Sequence, residues 1–135
     1  MLNARIGKEV VVRAPNEPGC LATLTKLIAD KGINVVAACA WVEGDTAVVR
    51  FVTDDTLRMA DEFRAKNLDY KEVEVVVVDL AHKVGMLRHV TERFAERGID
   101  LSHLYVTSTT DQVRCMLVCS TSNNERAMVA LNDRR

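Results

Sequence analysis

The sequence predicts an α+β protein of two βαββαβ units with antiparallel sheets, the second short of its last strand. Three observations carry that prediction. The stretch "EPGCLATLTKLIADKGINVV" returns sixty-six residues later as "KVGMLRHVTERFAERGIDLS", and between Gly19–Ile33 and Gly85–Ile99 six of fifteen positions are identical without a gap. Each copy follows a β-branched run and is followed by two more, the order of a strand, a helix and a hairpin. A second helical pattern then closes each hairpin, in "TDDTLRMADEFRAKN" and in "SNNERAMVALN".

Taken in order, "EVVVRA" (Glu9 to Ala14) is a strand that ends in the breaker cluster "PNEPG". Beyond Gly19 the apolar residues Leu21, Leu24, Leu27 and Ile28 fall at helical spacing, and "DKG" stops the helix with Gly32 just past its end. "INVVAACAWV" and "TAVVRFV" form a hairpin around "EGD". In the next helix Thr53 to Asp55 are cap candidates, and Leu57, Ala60 and Phe63 share one side. The pattern restarts at Glu72. "EVEVVVVDL" is a strand, "AHKVG" a loop, and "MLRHVTERFAERG" a helix with Leu87, Val90 and Phe94 inward; "IDLSHLYVTS", the turn "TTD", the strand "QVRCMLVCS" and a last helix capped by "SNNE" complete the copy.

A repeat of this length with its own sheet and helices makes two small domains rather than a solenoid. They divide as residues 1–71 and 72–135. Only "LDYK" separates the last helix of copy one from the first strand of copy two, so the closing strand of copy one is brief or merges into that strand, and no free linker intervenes. The second copy's last helix runs directly into "ALNDRR", which leaves that copy without a closing strand and with an open sheet edge. The unalternating runs "VVV" and "VVVV" are apolar on both strand faces, so the sheet face away from the helices is expected to be covered by the sister domain or another chain.

Composition narrows the function. The 135 residues are 48% apolar, enough for a core, and 18 basic against 19 acidic residues leave a net charge of −1, with no basic field for nucleic acid or membrane. The start has no uninterrupted apolar segment after its positive charge and no run approaches a bilayer span, which reads as cytoplasmic. Cys20, Cys39, Cys115 and Cys119 form no CxxC pair and fit a reducing compartment; His82, His89 and His103 have no ligand-like spacing, so neither a metal nor another cofactor is expected. There is no GxxxxGK[ST] or GxGxxG loop and no recognisable nucleophile, base or carboxylate pair, so the chain is not read as an enzyme. Trp41 reads as a packing residue. RNA binding ranks last, because the sheet aromatics that stack bases are missing and Phe51 stands alone in "AVVRFV".

The repeat resembles the ACT domain, a ferredoxin-like βαββαβ regulatory module whose first loop reads roughly Asp-x-Pro-Gly-x-Leu and whose second strand follows Gly-Ile-Asn-Ile. "NEPGCL" and "GINV" match in the first copy; "HKVGML" and "GIDL" match in the second at the glycine and leucine, with His82 in place of the acid and Val84 in place of the proline. The resemblance implies a tandem, stand-alone allosteric regulator that binds a small effector, commonly an amino acid, at these loops and at module interfaces, and passes the signal to a metabolic enzyme. It places ligand-binding residues at Asn16, Glu17, Pro18, Gly19, Cys20, Leu21 and Asn34 in copy one and at His82, Val84, Gly85, Met86 and Leu87 in copy two. The physical chemistry agrees: a glycine at a helix start admits close approach, and the unpaired N–H groups there favour a carboxylate. Asn16 or Glu17 and, in copy two, His82 stand near for the ammonium. Copy one keeps the asparagine, proline and glycine together, so its site ranks first. The competing reading is an assembly or docking scaffold, with the glycines as tight turns only. The open edge and doubly apolar strands predict a homodimer.

Overall fold

The computed structural model describes residues 2–108 and 114–133. The elements run β1 (Leu2–Pro15), α1 (Cys20–Asp30), β2 (Val35–Glu43), β3 (Thr46–Thr53), α2 (Thr56–Ala65), β4 (Asp69–Ala81), α3 (Met86–Glu96), β5 (Leu101–Ser108), β6 (Arg114–Thr121) and α4 (Asn124–Asn132). The predicted turn "TTD" and the start of the strand after it lie outside the described residues. The chain forms two compact units: Lys8–Val73, the first, and Met1–Gly7 with Glu74–Arg135, the second.

In the first unit the strands are ordered β2-β3-β1-β4. β1 pairs antiparallel with β3 (Val10↔Phe51, Val12↔Val49), and β2 pairs antiparallel with β3 (Ala38↔Phe51, Ala40↔Val49). Val10, Val12, Val49 and Phe51 face the two helices and pack on Leu24 and Ile28 of α1 and Met59 and Phe63 of α2. The Phe63 ring lies 6.4 Å from Phe51 and 6.3 Å from Tyr70, so the aromatics of three elements meet in one cluster. The opposite strand face is buried too, through Val11, Val48, Val52 and the carboxylate of Glu9, which is ion-paired with Arg50. That double burial is what the unalternating valines foretold.

The second unit has the order β5-β6-β4-β1. β4 pairs antiparallel with β6 (Val76↔Cys119, Val78↔Leu117), and these residues form a core with Val90 and Phe94 of α3 and Ala127 and Leu131 of α4. Here the structure corrects the reading of an open edge. The place beside β4 is taken by residues 2–7 of β1, with Ala4 buried in the same core. The Ala4 N–H donates to Asn132 Oδ1 at 2.8 Å and Asn132 Nδ2 donates to the Ala4 carbonyl at 2.9 Å, so α4 satisfies the outward N–H and C=O of Ala4. Arg5 donates to Asp79 at 3.1 Å, and a Cβ on Gly7 would come within 3.0 Å of Val77. The sequence hid this strand because Arg5, Gly7 and Lys8 interrupt its apolar pattern.

The boundaries move accordingly. β4 is the predicted merger of two strands, and the units divide between Val73 and Glu74 rather than at 71/72, with the N-terminal strand segment joining the second unit.

The Asn132 clamp predicts a measurable loss. Asn132→Ala removes both hydrogen bonds and should lower stability by roughly 1–3 kcal/mol. In hydrogen exchange, amides of residues 3–6 should lose protection while those of β2 keep theirs; equal loss in both would mean the clamp is not local.

Candidate functional site

The four helices begin in two different ways. α2 and α4 are capped by side chains: Asp55 accepts from the Arg58 N–H and Asn123 from the Arg126 N–H, each at 3.1 Å. α1 and α3 begin instead on left-handed glycines, Gly19 at φ 85° and Gly85 at φ 90°, with no side-chain cap. Backbone bonds account for some of the first-turn donors, Cys20 N–H to Glu17 O and Thr23 N–H to Gly19 O in α1, Met86 N–H to Lys83 O and His89 N–H to Gly85 O in α3. The N–H groups of Leu21, Ala22, Leu87 and Arg88 have no protein acceptor among the described residues. These donors, at the positive end of each helix dipole, are suited to an anionic oxygen. A Cβ on either glycine would meet nothing within 4 Å, so it is the backbone conformation that requires glycine, at about 1 kcal/mol.

Beside each start lies a cavity. The first, about 280 Å³, is lined by Asn16, Glu17, Gly19, Cys20 and Leu21 of the loop and helix, Ala40 to Val42 of β2, and Ala47 and Val49 of β3. The second, about 340 Å³, is lined by Leu80 to Lys83, Gly85 to Arg88, Val106 to Ser108 and Cys115. Nine of the ten residues of the first lining have their counterpart sixty-six positions on in the second, which adds Leu80, Ala81 and Arg88, so the duplication extends to the cavity walls. A third, about 650 Å³, lies on the other flank of α3, against Leu2, His89, Arg93 and Asn132.

Trp41 borders the first cavity from the edge strand, but its register opposite Val48 puts its ring on the sheet face away from the helices. There Arg50 lies 5.4 Å from the ring centroid, and Trp41 Nε1 donates to Glu43 at 3.0 Å. That bond, joined by one from Arg13, holds the Glu43 carboxyl below its ordinary range.

Of the residues named from the sequence, Asn16, Glu17, Gly19, Cys20 and Leu21 line the first cavity, and His82, Gly85, Met86 and Leu87 the second. Pro18 is not part of the first lining, and Val84 is fully exposed and borders only the third cavity. Asn34 is far away. It immediately precedes β2, exchanging hydrogen bonds with Asp54 (2.9 and 3.1 Å), and lies six residue steps before Ala40, roughly 20 Å at ~3.3 Å each. The "GIN" motif is a strand entry here. The sequence reading missed the strand contributions, Ala40, Val42, Val106, Ser108 and Cys115, and also Lys83 and Arg88; the constant offset, carried onward from the loops, would have paired them.

Two α+β units of ferredoxin-like order, each with a glycine loop leading into a helix without a side-chain cap beside a cavity, define the class of fold. The sequence agrees over the first unit: residues 8–61 match the family model of the ACT domain. Among solved structures, a protein from Bacteroides thetaiotaomicron shares the fold over 96% of this chain and 88% of its own at 20% identity, with a TM-score of 0.87. The ligand-free regulatory subunit of aspartate kinase from Thermus thermophilus is similar over 96% of this chain and 93% of its own at 16% identity, TM-score 0.68. The regulatory subunit of aspartate kinase from Thermus flavus is similar over 97% and 93% at 17% identity, TM-score 0.65. These likenesses are of fold. A sequence search of curated proteins finds no significant match. Among the described residues no helix is long and apolar enough to cross a membrane, and no three His, Cys, Asp or Glu side chains gather as metal ligands.

The cysteines give this geometry a chemical probe. Cys20 and Cys115 are half-buried in the two cavities, whereas burial pushes the Cys119 thiol up to about 12. At pH 8 its thiolate fraction falls to about 10⁻⁴, roughly a thousandfold below an ordinary cysteine. With a disulfide reagent under native conditions, Cys20 and Cys115 should label well before Cys119, which should wait for unfolding; prompt labelling of Cys119 would contradict the buried core.

Proposed function

We propose that the chain is a non-catalytic allosteric module whose first cavity binds a free amino acid. The carrying observation is the uncapped start of α1 opening beside a carboxylate and an amide, while α2 and α4 are closed by side-chain caps. The ligand's carboxylate accepts from the N–H groups of Leu21 and Ala22, and its ammonium lies toward Asn16 and Glu17. The volume of about 280 Å³ is just below the ~300 Å³ at which drug-sized pockets begin, which suits a ligand of a few heavy atoms. The ligand's side chain leaves along β2, an edge strand where Val42 is 52% exposed, toward a second copy of the chain. Similar structures include regulatory subunits of aspartate kinase, and on that likeness the partner is a metabolic enzyme in the cytoplasm.

A thermal-shift panel of the twenty amino acids should show one or a few ligands, because a ligand at a hundred times its Kd stabilises the folded state by about 2.7 kcal/mol. In calorimetric titration with the ligand so found, Asn16→Ala and Glu17→Gln should each weaken binding about two- to tenfold, from polar contacts of about 0.5–1.5 kcal/mol. A flat panel would leave the docking-scaffold reading in place of this one. Light scattering at micromolar concentration should give twice the 15.0 kDa of one chain, and a monomeric mass would remove the second copy from the site.

A further inference from the structure

The two cavities are equivalent in place and opposite in charge. At the shared offset Asn16 is replaced by His82, Glu17 by Lys83, Ala22 by Arg88 and Val42 by Ser108. Among the described residues, the first lining contains one carboxylate and no cation, and the second contains Lys83, Arg88 and an imidazole and no carboxylate. Arg88 is shared with Glu92 one turn along, at 2.7 Å. Lys83, by contrast, is in no ion pair among the described residues, although it borders the cavities on both flanks of α3. The first turn of α3 carries no acid. In a chain whose net charge is −1, this end of one helix concentrates positive charge around unsatisfied donors.

We infer that the second cavity is a separate site for a small dianion, a dicarboxylate or a phosphate-bearing molecule. One anionic group accepts from the N–H groups of Leu87 and Arg88, and the other meets Lys83, with His82 and the Ser108 hydroxyl as further donors. An amino-acid ammonium is disfavoured there, since the acceptor that would receive it in the first cavity, Glu17, has become a lysine. The inference rests on the reading of the glycine loops as ligand sites, and it makes the protein a sensor of two inputs that differ in charge.

The test is an amide-shift NMR titration of the full chain at constant ionic strength with succinate, inorganic phosphate and the twenty amino acids. Succinate or phosphate should saturably shift Gly85 to Arg88 and leave Gly19 to Ala22 in place, and whichever saturates at lower concentration distinguishes a dicarboxylate from a phosphate ligand. Lys83→Gln should weaken that binding at least fivefold, while the control Lys26→Gln, on a lysine paired with Asp30 at the surface of α1, should not. If an amino acid moves the Gly19 loop and neither anion moves the Gly85 loop, this inference is overturned and the amino-acid reading stands. Anions that shift both loops equally, or that bind regardless of Lys83→Gln, overturn it as well. If nothing moves either loop, both readings fall together.

Discussion

The architecture depends on two strands long enough to serve twice. An ordinary strand has about five or six residues; β1 has 14 and β4 has 13, and the boundary between the units passes through both. Each unit therefore draws two of its four strands from elements it shares along the chain. A sheet edge must have its N–H and C=O groups paired, covered or solvated. At β4 of the second unit the pairing comes from residues 2–7, and Asn132 pairs the N–H and C=O of Ala4 on the side that β4 does not reach. In each unit the start of the duplicated helix lies beside residues of that unit's own hairpin, and a cavity forms there.

Helix capping separates the structural ends from the candidate functional ones. Every helix must dispose of its first-turn N–H groups. Asp55 and Asn123 do so within the protein, at the two helices that follow hairpins. Gly19 and Gly85 make their turns and leave donors over. The copies diverge elsewhere as well. Where the first unit buries the Glu9 and Arg50 ion pair, the second has Val75 and Met116 at the equivalent positions, so the same strand face is held by charge pairing in one copy and by apolar packing in the other.

Much of this was legible in the sequence, for identifiable reasons. The order of elements follows from periodicity and punctuation, and Gly32, Asp55 and Asn123 stand at helix ends because their local chemistry suits them there. The doubly apolar valines announced burial on both strand faces. The strand at residues 2–7 was not legible, since its pattern is broken by polar residues and its partners lie far along the chain. Asn34 misled because a short motif was carried over whole, when only its loop half reaches the cavity. Lys83 and Arg88 gave no signal by themselves, as charged residues at the start of an exposed helix are ordinary; they matter only once the opposite wall is known.

The hydrogen bonds between Ala4 and Asn132 join residues 128 positions apart. Contacts of such sequence separation are entropically expensive to form and raise contact order, which slows folding. During synthesis the first unit has all of Lys8–Val73 available as soon as that stretch has left the ribosome. Ala4, in contrast, finds the partner for its outward N–H and C=O only once α4 has been made. The two units thus differ in when their parts come together: the unit built around Gly19 draws on one continuous stretch, whereas the unit built around Gly85 needs both residues 2–7 and α4.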